Sequence, residues 1–199
     1  MNPVYRRACF LTGSHQIAQL PPDEGAEVAF AGRSNVGKSS AINAITEIGS
    51  LARTSRTPGR TQQINFFSLV DGYRLVDLPG YGYAKVPPSL QRHWQVVLDR
   101  YIRERRSLRG VVVVMDARHP LKDLDNTMLT WCAAIARPVH VLLTKADKLS
   151  RTESLQALRL VETAFAQHGQ EQGMVQLFSA THAQGLEEAR IRLDRWFGW

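Results

Sequence analysis

The chain has 199 residues, 44% of them hydrophobic, and 25 Lys and Arg against 18 Asp and Glu give a formal charge of +7. That length suits one globular domain with a sizeable core, and the basic balance favours polyanionic partners. Cys9 and Cys132 lie far apart without metal-ligand spacing, no apolar run approaches a membrane span, and Ala8-Cys9-Phe10-Leu11 is too short for a signal peptide, which together exclude a disulfide scaffold and membrane insertion and lead to the expectation of a cytoplasmic protein.

In chain order, residues 1–24 read as an irregular N-terminal extension packed on a domain of residues 25–199, with Pro21-Pro22 breaking the pattern before the first strand. Glu27 to Ala31 reads as a short buried strand and Ser40 to Ile45 as a helix. Gln63 to Val70 and Tyr73 to Val76 read as a hairpin turning at Asp71-Gly72. Val111–Met115 and Val139–Leu143 are continuous apolar runs, suited to central parallel strands covered on both faces, and Val175–Phe178 is a weaker third. Helical stretches are expected near 89–106, 121–136, 151–168 and 183–197. This alternation predicts an α/β sheet with helices on both faces and ligands at the carboxyl ends of the strands.

The most informative stretch is Gly32-Arg33-Ser34-Asn35-Val36-Gly37-Lys38-Ser39, followed by Ser40. Gly, four residues, then Gly-Lys-Ser between a strand and a helix is a phosphate-binding loop. Its glycines let backbone N–H groups cradle phosphates, Lys38 reaches the β- and γ-oxygens, and Ser39 offers a hydroxyl to Mg²⁺. Asp77-Leu78-Pro79-Gly80 follows the Tyr73–Val76 strand. There a carboxylate could hold Mg²⁺ through water and Gly80 could donate its N–H to a γ-phosphate.

Thr144-Lys145-Ala146-Asp147 ends the Val139–Leu143 strand. Asp147 could accept two hydrogen bonds from the N1–H and N2–H₂ edge of guanine, and adenine, lacking a donor at that ring position, would leave it unpaired. The Lys145 stem could cover the base, and Phe178-Ser179-Ala180 could let a backbone N–H approach the guanine carbonyl. Between the first helix and the Gln63 strand lies a polar, basic segment broken by Pro58-Gly59. Within it Gly59, Arg60, Thr61, Gln62 and the adjoining Gln63 are candidate nucleotide contacts. Thr61 is the preferred Mg²⁺ ligand by its spacing to the following strand, with Thr54 and Thr57 competing.

Together these residues resemble the guanine-nucleotide-binding set of the P-loop GTPases, and more closely the EngB (YihA/YsxC) family. The resemblance is carried by residues 31–40, 57–67, 77–84, 115–121 and 143–149, and it spans essentially the whole chain. It implies a three-layer P-loop fold with a mostly parallel six-stranded sheet and one antiparallel edge strand. It further implies GTP and GDP as ligands, Mg²⁺ held directly by Ser39 and Thr61, and a role in large ribosomal subunit assembly linked to cell division and septation. A monomer contacting the ribosome through rRNA is expected.

The residue after Gly80 is Tyr81, where many GTPases place a glutamine that orients the attacking water, so slow intrinsic hydrolysis is expected. Lys38, Thr61, Gly80 and Asn35 are the candidate catalytic set. The resemblance gives Asn35 a role in holding K⁺ near the phosphates; otherwise it only shapes the loop. Arg53, Arg56 and Arg60 are the better rRNA candidates, whereas Arg100, Arg103, Arg105, Arg106 and Arg109 read mainly as a solvated helix face. Asp116, Arg118 and His119 read as fixing a loop, and Trp196, Phe197 and Trp199 as pinning the last helix. The competing function is a nucleotide-gated RNA-binding module whose hydrolysis is incidental.

Overall fold

The computed structural model describes residues 2–53, 63–81, 88–167 and 174–199, with 88–91 described by their backbone alone. In chain order the strands and helices are β1 (Cys9–Ser14), β2 (Ala26–Gly32), α1 (Lys38–Thr46), β3 (Ile64–Val70), β4 (Tyr73–Asp77), α2 (Pro88–Glu104), β5 (Leu108–Asp116), α3 (Asp123–Ala134), β6 (Val139–Thr144), α4 (Arg151–Gln167), β7 (Met174–Leu177) and α5 (Leu186–Phe197). The sheet has seven strands in the order β1-β3-β4-β2-β5-β6-β7. β4, β2, β5, β6 and β7 run parallel, while β3 is antiparallel to both β4 and β1.

The sheet therefore carries one strand more than the six expected, and its antiparallel part is two strands wide. The extra strand is β1, within the extension expected to be irregular. Its sequence hides it because an edge strand is held chiefly by backbone pairing. Residues 9–11 are exposed, so no apolar alternation marks the segment.

The central strands bury both faces, which is why they read as unbroken apolar runs. Val111, Val113 and Met115 of β5 face a core shared with Leu98 and Ile102 of α2, Leu129 of α3 and Val161 of α4. Val112 and Val114, one residue out of phase, face Ile42 and Ile45 of α1 and Leu193 of α5. The layers are thus α1 and α5 on one side and α2, α3 and α4 on the other. At the amino-terminal ends of β2 and β5, buried Glu27 accepts from Arg105 at 2.6 Å, Arg74 at 2.7 Å and the Tyr101 hydroxyl at 2.9 Å. These partners satisfy a carboxylate that would otherwise be costly to bury. Among the described residues, no helix is long and apolar enough to cross a membrane.

Candidate functional site

The site forms at the opposite, carboxyl end of the sheet, where β2, β4, β5 and β6 stop side by side. Between β2 and α1 the chain reverses through Asn35 at φ 62° and Gly37 at φ 99°. The left-handed region is open to Gly and tolerated by Asn, so both residue types suit their places. The turn makes a concavity of the kind in which backbone N–H groups converge on an anion, and α1 begins at its rim.

Lys38, the first residue of α1, forms a buried ion pair with Asp77. The pairing follows from register, because Phe30 near the end of β2 lies opposite Asp77 of β4. An ammonium and a carboxylate therefore meet at one helix start, where Ser39 is the next residue of α1. Such oxygen donors suit a hard cation such as Mg²⁺, completed by phosphate oxygens. Among the described residues no group of three or more His, Cys, Asp or Glu side chains could hold a metal. Leu78 and Phe178 put their side chains in the apolar core, so their offering to a ligand is backbone. Pro79 is buried, and Gly80 is half-buried.

Tyr81 closes this side. Its N–H donates to the Gly32 carbonyl at 3.3 Å and its carbonyl accepts from Ser34 N–H at 3.1 Å, setting it beside Arg33 as a short parallel bridge. Its hydroxyl donates to buried Asp125 in the first turn of α3, at 3.3 Å. Burial pushes the phenol well above its ordinary value, so it stays protonated. The ring is partly buried and packs against the core on the α3 side.

β6 brings the other half. The Thr144 hydroxyl hydrogen-bonds to the Val36 carbonyl and to that of Met115, the latter at 2.9 Å. Lys145, at φ 59°, extends its ammonium to the Asn35 carbonyl at 2.7 Å and to Asp116 at 2.8 Å. Arg118 donates to both Asp116 oxygens, at 2.9 and 2.7 Å. Burial would raise the Asp116 pKa, but hydrogen bonds from Arg118 and then Lys145 outweigh it and hold the carboxyl well below the usual range. Asp116 thus does more than fix its loop. It orients Lys145, a role that could not be read from residues 29 positions apart.

Asp147 accepts from the Ser179 hydroxyl at 2.6 Å. That bond, ahead of the contribution from Lys148, lowers its pKa and keeps it ionised. Its other oxygen is covered and ion-paired with Lys148 at 3.1 Å, so a guanine edge would have to displace Lys148 to reach it. Ser179 is itself fixed by reciprocal backbone bonds with Gln184, and Ala146 N–H donates to the Phe178 carbonyl at 3.2 Å. Ala180 lies half-buried beside it.

The sequence candidates Gly59, Arg60, Thr61 and Gln62, with Thr54, Arg56 and Thr57, lie outside the described residues. Gln63 contacts His15 at 2.7 Å, and Arg53 is exposed. The arginine run lies largely at the far end of the sheet and is internally partnered. Arg100 pairs with Glu104, Arg103 with Asp99 and Arg106 with Asp23, while Arg105 is buried on Glu27. Arg109 donates to the Gly25 carbonyl. The C-terminal aromatics pack on the body: Phe197 and Trp199 lie against Tyr73, and Trp199 also meets Tyr5.

Comparison with known proteins gives a consistent picture. The family described as 50S ribosome-binding GTPase matches residues 27–145. A probable GTP-binding protein EngB of Coxiella burnetii is 53% identical over 195 residues, covering 98% of this chain and 95% of that protein. One from Nitrosococcus oceani is 55% identical over 201 residues, covering 100% of this chain and 98% of its own. Among solved structures, a probable GTP-binding protein engB superposes with a TM-score of 0.70 at 21% identity, covering 86% of this chain and 98% of that one. The elongation factor SelB of Methanococcus maripaludis, bound to a GTP analogue, superposes at 0.62 and 18% identity, covering 88% of this chain and 34% of that one.

Proposed function

The chain belongs to the EngB family of P-loop GTPases, and we propose that it is a slow, Mg²⁺-dependent GTP switch acting in assembly of the large ribosomal subunit. The observation that carries the reading is that the Lys38–Asp77 pair, the Lys145–Asn35 bond and the Ser179–Asp147 bond all lie at one end of one sheet. Phosphate chemistry and a guanine-shaped acceptor set then sit on one ligand.

On this reading the loop of Gly32 to Ser40 receives the phosphates. Lys38 would turn from Asp77 to the β- and γ-oxygens, freeing Asp77 to hold a water of Mg²⁺. Ser39 and Thr61 would ligate the ion, whose charge would offset that developing on the phosphates. Gly80 N–H and the Thr61 N–H meet the γ-phosphate, so both contacts are lost with that phosphate, which makes the site a switch. With Tyr81 turned into the core, no side chain at that position orients water, which supports slow turnover. Asn35 at the loop's left-handed turn would hold K⁺; equal turnover in KCl and NaCl removes that part.

The chain works as a monomer in the cytoplasm, residues 25–199 forming the GTPase domain and 1–24 packing on it. The match to the 50S ribosome-binding GTPase family and the net charge of +7 support a ribosomal partner contacted through rRNA. A linked requirement for normal cell division and septation belongs to the same reading. Co-sedimentation with purified large-subunit precursors tests this. Association with GTP and release with GDP is expected, and association in neither state overturns it. The second reading, an RNA-binding module with incidental hydrolysis, is favoured by the buried Tyr81. It predicts full rescue of assembly by a Thr61 variant that binds GTP without hydrolysing it.

A further inference from the structure

Asp125 is 1% exposed, in the first turn of α3, and it lies outside every motif that defines the nucleotide site. One of its carboxyl oxygens caps the helix by accepting from Lys122 N–H at 3.1 Å, and the other accepts from the Tyr81 hydroxyl. Capping is ordinarily done by a residue at the helix surface, in water. Burying a carboxylate is costly, and an apolar residue of similar volume would pack there more favourably. Its distinctive contact is therefore the reach to Tyr81, the residue that follows Gly80. Tyr81 is bound on both sides: its backbone to Gly32 and Ser34 of the phosphate loop, its hydroxyl to α3.

We propose that Asp125 is a positioning residue for γ-phosphate recognition: by holding the Tyr81 hydroxyl in the first turn of α3, it fixes the backbone of Gly80 beside the phosphate loop. The inference rests on the reading that Gly80 N–H meets the γ-phosphate. A diphosphate has nothing for Gly80 to contact, so the anchor acts on GTP and not on GDP. It also makes the first turn of α3 a place from which a partner could tune the preference between the two nucleotides.

The test measures affinities of the full chain for GDP and for a non-hydrolysable GTP analogue. Asp125→Ala is expected to weaken the analogue about fivefold, the effect of one lost ordering hydrogen bond, with GDP affinity unchanged. Tyr81→Phe, which leaves the α3 cap intact, should reproduce the loss, and the double variant should be no worse than either single one. Asp125→Asn should restore the wild-type preference, since its amide can both accept from Lys122 and donate to the Tyr81 oxygen. Unchanged analogue binding in Asp125→Ala and Tyr81→Phe, or equal weakening of both nucleotides, overturns the proposal. Gly80→Pro, which removes that N–H, separates the two readings: an unaffected analogue affinity there sinks the γ-phosphate role of Gly80, whereas the anchor is decided by the Asp125 and Tyr81 variants.

Discussion

Lys145 reaches back from the end of β6 to donate to the carbonyl oxygen of Asn35 at 2.7 Å, joining the segment after β6 to the loop between β2 and α1. The same ammonium is held by Asp116 at 2.8 Å, and Asp116 in turn by Arg118. Removing the carboxylate frees the lysine without touching any group that meets the nucleotide. Asp116→Ala should therefore speed GDP dissociation about five- to tenfold, as expected for loss of one charge-assisted hydrogen bond. Stopped-flow release of a fluorescent GDP checks it. An unchanged rate would show that Asn35 and the loop hold Lys145 unaided.

The proposed base discrimination rests on a second pair. Ser179 fixes Asp147 at 2.6 Å, so the carboxylate is aimed before any base arrives. Ser179→Ala should weaken GDP by about fivefold, the usual effect of one lost hydrogen bond. Asp147→Ala should cost much more and largely abolish the preference for guanine over adenine nucleotides, since discrimination of this kind comes from a buried acceptor left unpaired. Competition titrations with GDP and ADP read both. Preserved guanine preference in Asp147→Ala would remove Asp147 from base recognition.

The sheet interior gives a stability prediction independent of the ligand. A Cβ on Gly110 of β5 would stand 2.7 Å from the Trp196 ring of α5, inside any normal contact. Trp196 packs edge-on to buried His140 and has little room to retreat. Gly110→Ala should destabilise the fold by about 1–3 kcal/mol through overpacking and leave GDP affinity intact. Thermal unfolding with and without GDP reads this. An unchanged melting temperature would mean that α5 shifts freely on the sheet.

Much of this was legible in the sequence, for identifiable reasons. The phosphate loop, Asp77 and Thr144–Asp147 are local motifs, each ending a strand, and a parallel sheet gathers strand ends without further instruction. The two apolar runs that became β5 and β6 announce themselves because both faces are buried. β1 was missed because an edge strand needs no apolar alternation. The Asp116–Lys145 and Tyr81–Asp125 contacts were missed because each joins residues 29 or 44 positions apart through side chains that carry no motif. An aspartate three residues into a helix reads as a cap, and it is one. Only the packing of α3 against the segment after β4 shows its second partner.

Asp125 also has a pH signature. Burial, opposed by the Lys122 hydrogen bond and the nearby Arg33 charge, pushes its pKa up to about 6 from the ordinary 3.8. Between those values the folded chain holds a proton that the unfolded chain has released, so this group's contribution to stability falls as pH rises through that window. Above pH 6 the penalty is fully present, and below about 4 it is absent. Asp125→Asn carries no charge to bury. Relative to the wild type it should gain little at pH 4 and on the order of 3 kcal/mol at pH 7.5, since each pKa unit corresponds to about 1.4 kcal/mol. His140, pushed down to about 4 by burial, loses stability on acidification but does so equally in both chains, so the difference between them isolates Asp125. Urea unfolding of the two chains at several pH values gives that difference. A gain that stays constant from pH 4 to 7.5 would show that Asp125 does not titrate in this range.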